Sequence, residues 1–208
     1  MPRRFAVALA CLALAACTTE RQTTTSRTAT EQLLISAAAD RAAVEVVRAV
    51  PPGKKTFVDA GNFEATDGKY AIGAIRAAVL ARGALLAAER KDAEVVVEIR
   101  AGALGIDNSD TIVGLPEYKV PVPLAGSDIT TPKIALFEKA RQLGVAKFAA
   151  AIYDAKTGAA LFTGPPRFGF ARKNDYTAAL VISWQRDDIH SVEDAPPATL
   201  TFYPSDDE

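Results

Sequence analysis

Residues 93–101 read AEVVVEIRA, and the alternation inside this stretch is the starting point for the fold. Val95, Val97 and Ile99 fall on one side of an extended chain, while Glu94, Glu98 and Arg100 fall largely on the other. A period of two with β-branched residues on one side is the pattern of a strand with one face in a core. Upstream, KTFVDA at 55–60 is a second short β-branched and aromatic run, bounded by Pro51-Pro52-Gly53 and Gly61-Asn62. Between the two runs, Tyr70, Ile72, Ile75, Val79 and Leu80 form an apolar stripe with Arg76 and Arg82 off it. Asp67 is placed to cap that helix, and Gly83 is placed to close it with a left-handed residue. Leu85-Leu86 fits a brief strand, and Lys91-Asp92 fits a turn. Residues 55–101 therefore predict strand, helix, strand: a βαβ-type unit with its helix on one sheet face.

Outward from this unit, Thr28-Ala29-Thr30-Glu31 has the S/T-x-x-E spacing of a capping box. Leu33, Leu34, Ala37, Ala38, Arg41, Val44 and Arg48 recur at helical steps, so a helix is expected over 30–49, stopped by the two prolines. Residues 102–130 are rich in Gly, Pro, Asp and Ser and read as a long loop with a β-like piece at 118–122. For 133–142, a helix and an extension of the following strand both fit. Val145 to Tyr153, the turn Asp154-Ala155-Lys156-Thr157-Gly158, and Ala159 to Thr163 predict a β-hairpin. YTAALVISWQR, 176–186, reads as a last strand that carries the only Trp.

The amino-terminal stretch speaks to location. Arg3 and Arg4, the apolar run Phe5 to Leu14, and small residues at Ala15 and Ala16 follow the order of a secretory signal peptide. The run is about half the roughly 20 residues that a spanning helix needs. Leu14-Ala15-Ala16-Cys17 resembles a bacterial lipobox, which implies acylation at Cys17 after cleavage. More than one acyl chain gives stable membrane anchoring. Thr18 after the cysteine implies the outer membrane by the same resemblance. The threonine-rich 18–29, TTERQTTTSRTA, reads as a flexible tether with a reach of about 40 Å at most.

Composition narrows the function classes. The chain has 24 basic and 25 acidic residues; without Arg3 and Arg4 the basic count is 22. This mildly acidic balance lacks the electrostatic footprint of a nucleic-acid binder. Cys11 leaves with the signal peptide and Cys17 carries lipid, so no disulfide is expected. One His and no further Cys leave the usual zinc ligand sets unfilled. No cofactor is expected.

The segment VAKFAAAIYDAKTGAALF, after KTFVDA, YAIGAIRAAVLARG and AEVVVEIRA, resembles in order and turn type the periplasmic α/β lipoprotein domains of the curli-secretion-pore and Tol type. The resemblance covers roughly residues 54–163. The whole chain also resembles a group of uncharacterised bacterial lipoproteins that share its TEQLL…DRA, DAEVVVEIR and AKF…YDAKTG segments. In the pore family, regions such as 133–153 extend into membrane hairpins; here Glu138, Lys139, Arg141 and Lys147 interrupt any lipid-facing side, which argues against a barrel.

Candidate chemistry is sparse. Asp187, Asp188 and His190, with Arg186 before them and Glu193-Asp194 behind, make the densest polar cluster. Two carboxylates and an imidazole suit a divalent metal or acid–base work, although a solvated loop after the last strand accounts for the same residues. Asp107-Asn108-Ser109-Asp110 looks oxygen-rich, lacks the EF-hand spacing, and reads as a turn. There is no G-x-S-x-G elbow, and Ser36 and Ser183 fall in regular elements.

The expectation is an α/β chain: lipoprotein signal peptide 1–16, lipidated tether 17–29, one α/β domain 30–193 with a βαβ-type unit and a later β-hairpin, and an acidic, proline-containing tail 194–208. The expected role is a non-catalytic interaction or assembly module, an outer-membrane lipoprotein facing the periplasm, with the membrane lipid and an envelope protein as partners. Loop 102–130 is the expected recognition surface. The alternative is a small-ligand or glycan binder, or a metal-dependent enzyme, using 187–194.

Overall fold

The computed structural model describes residues 27–115, 117–121, 128–130 and 133–189. The expected signal peptide, Cys17, most of the tether, His190, Glu193 and the tail 194–208 lie outside these residues.

The first helix, α1 (Ala29–Val46), begins where the capping box requires. The Thr28 hydroxyl accepts from the Glu31 amide at 3.2 Å, and the Glu31 carboxylate accepts from the Thr28 amide at 2.7 Å. Two amides that a helix start leaves without partners are thus satisfied. The helix ends at Val46, short of the expected residue 49, and a turn carries Val47 and Val50 into the core. Its buried stripe is Leu34, Ile35, Ala38, Ala39, Ala42, Ala43 and Val46, so Leu33 and Val44, counted with the apolar pattern, face outward.

Strand β1 (Lys55–Asp59) and helix α2 (Gly68–Ala81) follow as expected. Asp67 makes no capping bond among the described residues; its carboxylate pairs instead with Arg27. Gly83 closes α2 at φ +80°, a conformation open to glycine because it has no Cβ. Ile75 and Val79 are buried, while Tyr70 and Leu80 at the margins of the stripe are exposed. The two-residue β2 (Leu85–Leu86) and a 3-10 turn at Arg90–Asp92 lead into β3 (Val95–Leu115).

Here the structure overturns the loop expected over 102–130. β3 runs 21 residues to Leu115, and β4 (Lys119–Pro121) pairs with β5 (Asp128–Thr130) in a small separate sheet. The ambiguity over 133–142 resolves as strand, since β6 (Ile134–Asp154) is also 21 residues long. β3 and β6 pair antiparallel from Val95↔Asp154 to Leu115↔Ile134, with irregularities between Ala101 and Ala103 and between Val113 and Gly114. The ladder holds Gly105 and the Asp107–Asp110 tetrapeptide in extended form, with Gly102 at the first irregularity; cross-strand pairing outweighs their weak strand propensity. The last strand also proves to be two, β8 (Arg167–Ala178) and β9 (Ile182–Asp187), after the short β7 (Ala160–Thr163). The break falls at Ala179 and Leu180, both at positive φ.

The main sheet has the order β2-β1-β3-β6-β8-β9, with β7 pairing β6 beyond the end of β8. β1 is parallel to β2 and β3, and the later pairs are antiparallel. This is an α/β fold with a βαβ-type unit and a later hairpin. The core lies between the helices and one sheet face, where Leu34, Ile75, Val97, Ile99, Phe148 and Ile152 are fully buried. Full burial of such side chains contributes roughly 1.5–3 kcal/mol each before entropy is counted. Thr56, buried among them, satisfies its hydroxyl on the Lys54 carbonyl at 3.2 Å.

α1 packs across β6 and β8 at very short range. A Cβ placed on Gly169 would meet the Ala38 carbonyl oxygen and come within 2.5 Å of the Ala42 amide nitrogen. One placed on Gly144 would meet the Leu34 carbonyl, its carbon at 2.7 Å. Alanines on the helix and glycines on the strands let two backbones approach to a distance that larger residues forbid. At the other end of β6, the Asp154 carboxylate accepts from the Thr157 amide at 2.8 Å, the Thr157 hydroxyl at 2.9 Å and the Lys156 amide at 3.0 Å. Gly158 completes that turn at φ +72°.

Gly169→Ala should destabilise the fold by about 1–3 kcal/mol through overpacking against backbone. The control is Gly105→Ala, whose added methyl meets nothing within 4 Å. That strand loses a flexible residue, so urea midpoints should be unchanged or slightly raised. A second expectation concerns pH. The amide and hydroxyl of Thr157 and the amide of Lys156 hold the Asp154 carboxyl below its ordinary range. A folded-state pKa below the unfolded one stabilises above the unfolded value, and that stabilisation is lost as pH falls through the folded value. Asp154→Ala should therefore lower the unfolding midpoint at neutral pH, with the gap to the parent closing in strong acid.

Candidate interaction face

Both helices pack on one face of the main sheet; the other is covered at its β1–β3 end by the 3-10 turn, whose Arg90 lies over Tyr153, and carries no helix over β6, β8 and β9 among the described residues. Side chains alternate across a strand, so the registers decide what that second face presents. β6 contributes Phe137, Lys139, Arg141, Leu143, Val145 and Lys147; opposite them β8 contributes Ala178, Tyr176, Asn174, Arg172, Phe170 and Phe168. Beyond β8, β9 places Ile182, Trp184 and Arg186 opposite Ala178, Tyr176 and Asn174.

The aromatic rings on this face are organised. Tyr176 and Trp184 stack at 5.2 Å with 7° between planes, and Phe137 lies 6.3 Å from Tyr176. Phe168 and Phe170, two residues apart on β8, stack at 5.9 Å and 4°. Each group carries a cation: Lys139 sits 5.6 Å from the Tyr176 ring centre, and Lys147 5.6 Å from that of Phe168. Contacts of this kind are worth about 0.5–1 kcal/mol at exposed sites. Yet Phe168, Phe170, Ile182 and Trp184 remain exposed, Trp184 at 40%. Lys139, Arg141, Lys147, Arg172 and Arg186 form no ion pair with another described residue.

The two faces exchange character along the sheet. Where α1 stops, the helix-side face becomes polar, with Asn108, Asp110, Glu138, Gln142, Lys173 and Asp175 at register positions that would otherwise meet a helix. The open face is the more apolar of the two there. Polar-out alternation is normal for a half-covered antiparallel sheet; stacked aromatics on the uncovered side are not.

The residues singled out from sequence fare differently. The Asp188 carboxylate accepts from the Arg172 amide at 2.8 Å and from the Arg41 guanidinium at 3.1 Å. Arg41 also donates to the carbonyls of Asp188 and Phe170. Asp188 thus fastens the end of β9 to α1. Asp187 accepts from the Ile189 amide and the Gln185 side chain, each at 3.2 Å. His190 lies outside the described residues, and no group of three or more metal-ligating side chains occurs among them. Asp107, Asn108, Ser109 and Asp110 sit in mid-strand, pointing alternately to opposite faces, so they converge on nothing. Loop 102–130, the expected recognition surface, is largely ladder.

One concavity has no signal in the sequence. A cleft of about 430 Å³ opens between α1 and α2, lined by Leu33, Ile35, Ser36, Asp67 and Tyr70 among others. The Tyr70 hydroxyl donates to Asp40 at 3.0 Å, and burial, then Asp40, pushes its pKa up. The Ser36 hydroxyl bonds back to the Leu33 carbonyl at 3.0 Å, so it is not set against a base. The cleft comes from how two helices dock, which neither helix pattern announces alone. No described helix is long and apolar enough to cross a membrane.

If Asp188 is a fastener, Asp188→Ala should lower stability by about 1 kcal/mol, the scale of a partly exposed charged hydrogen bond. Thermal melting should be shifted equally with and without a metal chelator, whereas a shift that requires divalent metal would restore the ligand role.

No curated protein matches this chain. A family of unknown function, DUF6655, matches residues 12–165, about three-quarters of the sequence and the span from α1 through β7, and the protein belongs to that family.

Proposed function

We propose that this protein is a lipid-anchored module of the cell envelope, acylated at Cys17 and facing the periplasm from the outer membrane, which works by binding an envelope protein rather than by catalysis. The observation that carries the reading is the uncovered sheet face. Phe, Tyr, Trp and Arg are the side chains that dominate binding hot spots. Phe168, Phe170, Tyr176, Trp184, Arg172 and Arg186 gather there on rigid strands. Large exposed apolar patches on a folded domain mark interaction surfaces. The Leu14-Ala15-Ala16-Cys17 sequence supports the anchor, and the threonine-rich stretch after it supports a reach of about 40 Å.

The rival reading, a metal-dependent enzyme or small-ligand binder at 187–194, has less support. The Asp188 carboxylate is taken up by Arg41 and by the Arg172 amide. A ligand there would have to break the bonds that hold β9 to α1.

Two measurements test the proposal together. In membrane fractions of the native host, the parent should partition with outer membrane and Cys17→Ser should be released. Mass spectrometry should find acyl chains on Cys17, and a free thiol there would end the anchoring part. For the binding part, proteins cross-linked to the parent in intact cells should be lost with Phe168→Ala plus Trp184→Ala, at a cost of about 2 kcal/mol or more per hot-spot residue. An unchanged cross-linking pattern would remove the open face as the binding site.

A further inference from the structure

We infer that the turn between β8 and β9, Ala179-Leu180-Val181, together with Leu136, Ile182 and Trp184 beside it, is a tip that dips into the surface of an anionic lipid bilayer. This contact is additional to the proposed envelope partner, since Phe168 and Phe170 lie about 25–35 Å back along β8. Three observations carry it.

The first is exposure. Leu180, Val181 and Ile182 are consecutive, and they are 49%, 49% and 50% exposed. Leu136 is 65% exposed, and its carbonyl accepts from the Ala179 amide at 2.9 Å, so it borders the turn. Water-facing turns are normally polar, and an exposed apolar run marks a contact surface. Val113, Leu115 and Ile134, also exposed, stand at the same end of the sheet, where β3 and β6 pair last before the chain passes to β4 and β5.

The second is backbone strain. The Val181 amide donates to the Ala178 carbonyl at 3.3 Å across a turn whose central residues, Ala179 and Leu180, stand at φ +50° and +69°. Positive φ at both central positions is the requirement of a type I′ turn, for which Asn-Gly is the relaxed sequence. A leucine is strained there by its Cβ. A large apolar side chain is thus kept at the outermost point of the hairpin against the preference of the backbone. Strain held in this way points to use of the side chain rather than to folding.

The third is order by depth. One open-face level in from Ile182, about 7 Å, lies the Tyr176–Trp184 stack, with Lys139 over the Tyr176 ring. Arg141 and Arg186 stand on the next level, about 13 Å in, at the register positions of Asn174. None of these three cations pairs with a described acid. The nearest acids on β6 and β8 are already matched, Glu138 by Lys133 at 2.7 Å and Asp175 by Lys173 at 3.1 Å. Apolar tip, aromatic ring and then cation is the order in which a bilayer presents acyl chain, interface and anionic headgroup. A pocket on a protein imposes no such order.

Trp184 is the only Trp, so its emission reports on the tip and not on attachment through the amino-terminal segment. With the full chain on mixed phosphatidylethanolamine–phosphatidylglycerol vesicles, that emission should shift to the blue. A nitroxide placed high on the acyl chain should quench it severalfold more than one placed at the chain end. Leu180→Ser/Val181→Ser should reduce the quenching severalfold. Ala179→Asn/Leu180→Gly/Val181→Thr guards against misfolding, because Asn-Gly suits the turn: its melting temperature should equal or exceed the parent's while its quenching falls as in the serine variant. Arg141→Gln/Arg186→Gln, or phosphatidylcholine in place of phosphatidylglycerol, should also lower the quenching severalfold. Emission that vesicles leave unchanged would overturn the inference, as would quenching retained in full by the Asn-Gly variant or equal quenching on neutral vesicles. A blue shift that grows with protein concentration in the absence of lipid indicates a second copy and overturns it too. Cross-linking through Phe168 is a separate readout, so failure of the envelope-partner reading leaves this one standing.

Discussion

The close approach of α1 to β6 and β8 is the constraint on which the rest of the architecture depends. A helix can lie this near a sheet only if both surfaces are nearly flat, and here they are: Ala38, Ala39, Ala42 and Ala43 on one side, Gly144 and Gly169 on the other. The contact gains little apolar area per residue, but it gains backbone proximity, and dispersion energy is steep in distance. It also fixes where Arg41 stands, and through Arg41 the end of β9.

Length then explains the exposed chemistry. At the rise of a helix, α1 covers about 27 Å of sheet. At the rise of a strand, β6 extends about 70 Å. The β3–β6 ladder outgrows its cover. Past the helix, the side of the sheet that had been core turns polar, and the aromatic side chains collect on the reverse. The resulting surface unites β6 with two strands that lie beyond the residues matched by the family model. Under the proposed role, binding is a property of the sheet's uncovered face and stability a property of its covered one.

How much of this is legible in the sequence follows from which forces are local. The βαβ-type unit, the capping box and the Asp154–Gly158 turn are readable because each is decided by residues a few positions apart. The extension of β3 is not. Gly105 and Asp107–Asp110 argue individually for a loop, and only a partner strand far along the chain holds them straight. The β8–β9 turn is hidden for a related reason. Such reversals usually advertise themselves with Asn-Gly or Asp-Gly. Ala179-Leu180 supplies neither, so the hairpin is imposed by the pairing on either side. The open face has no signature either. Its aromatic residues are spread along the chain, and only the register sets Tyr176 opposite Trp184 with Phe137 one rung away. Asp188 is visible as a polar residue, but its partner Arg41 stands on the first helix, so what it does cannot be read nearby.

Arg41 has one more effect. β8 runs on past the end of β9, so among the described residues the outer rung at Phe170 has no neighbouring strand. A bare rung of this kind is a template on which a foreign chain can grow by backbone pairing. The guanidinium occupies that carbonyl with a group that cannot be extended into a further strand. A single side chain from a helix thus closes that rung to backbone pairing.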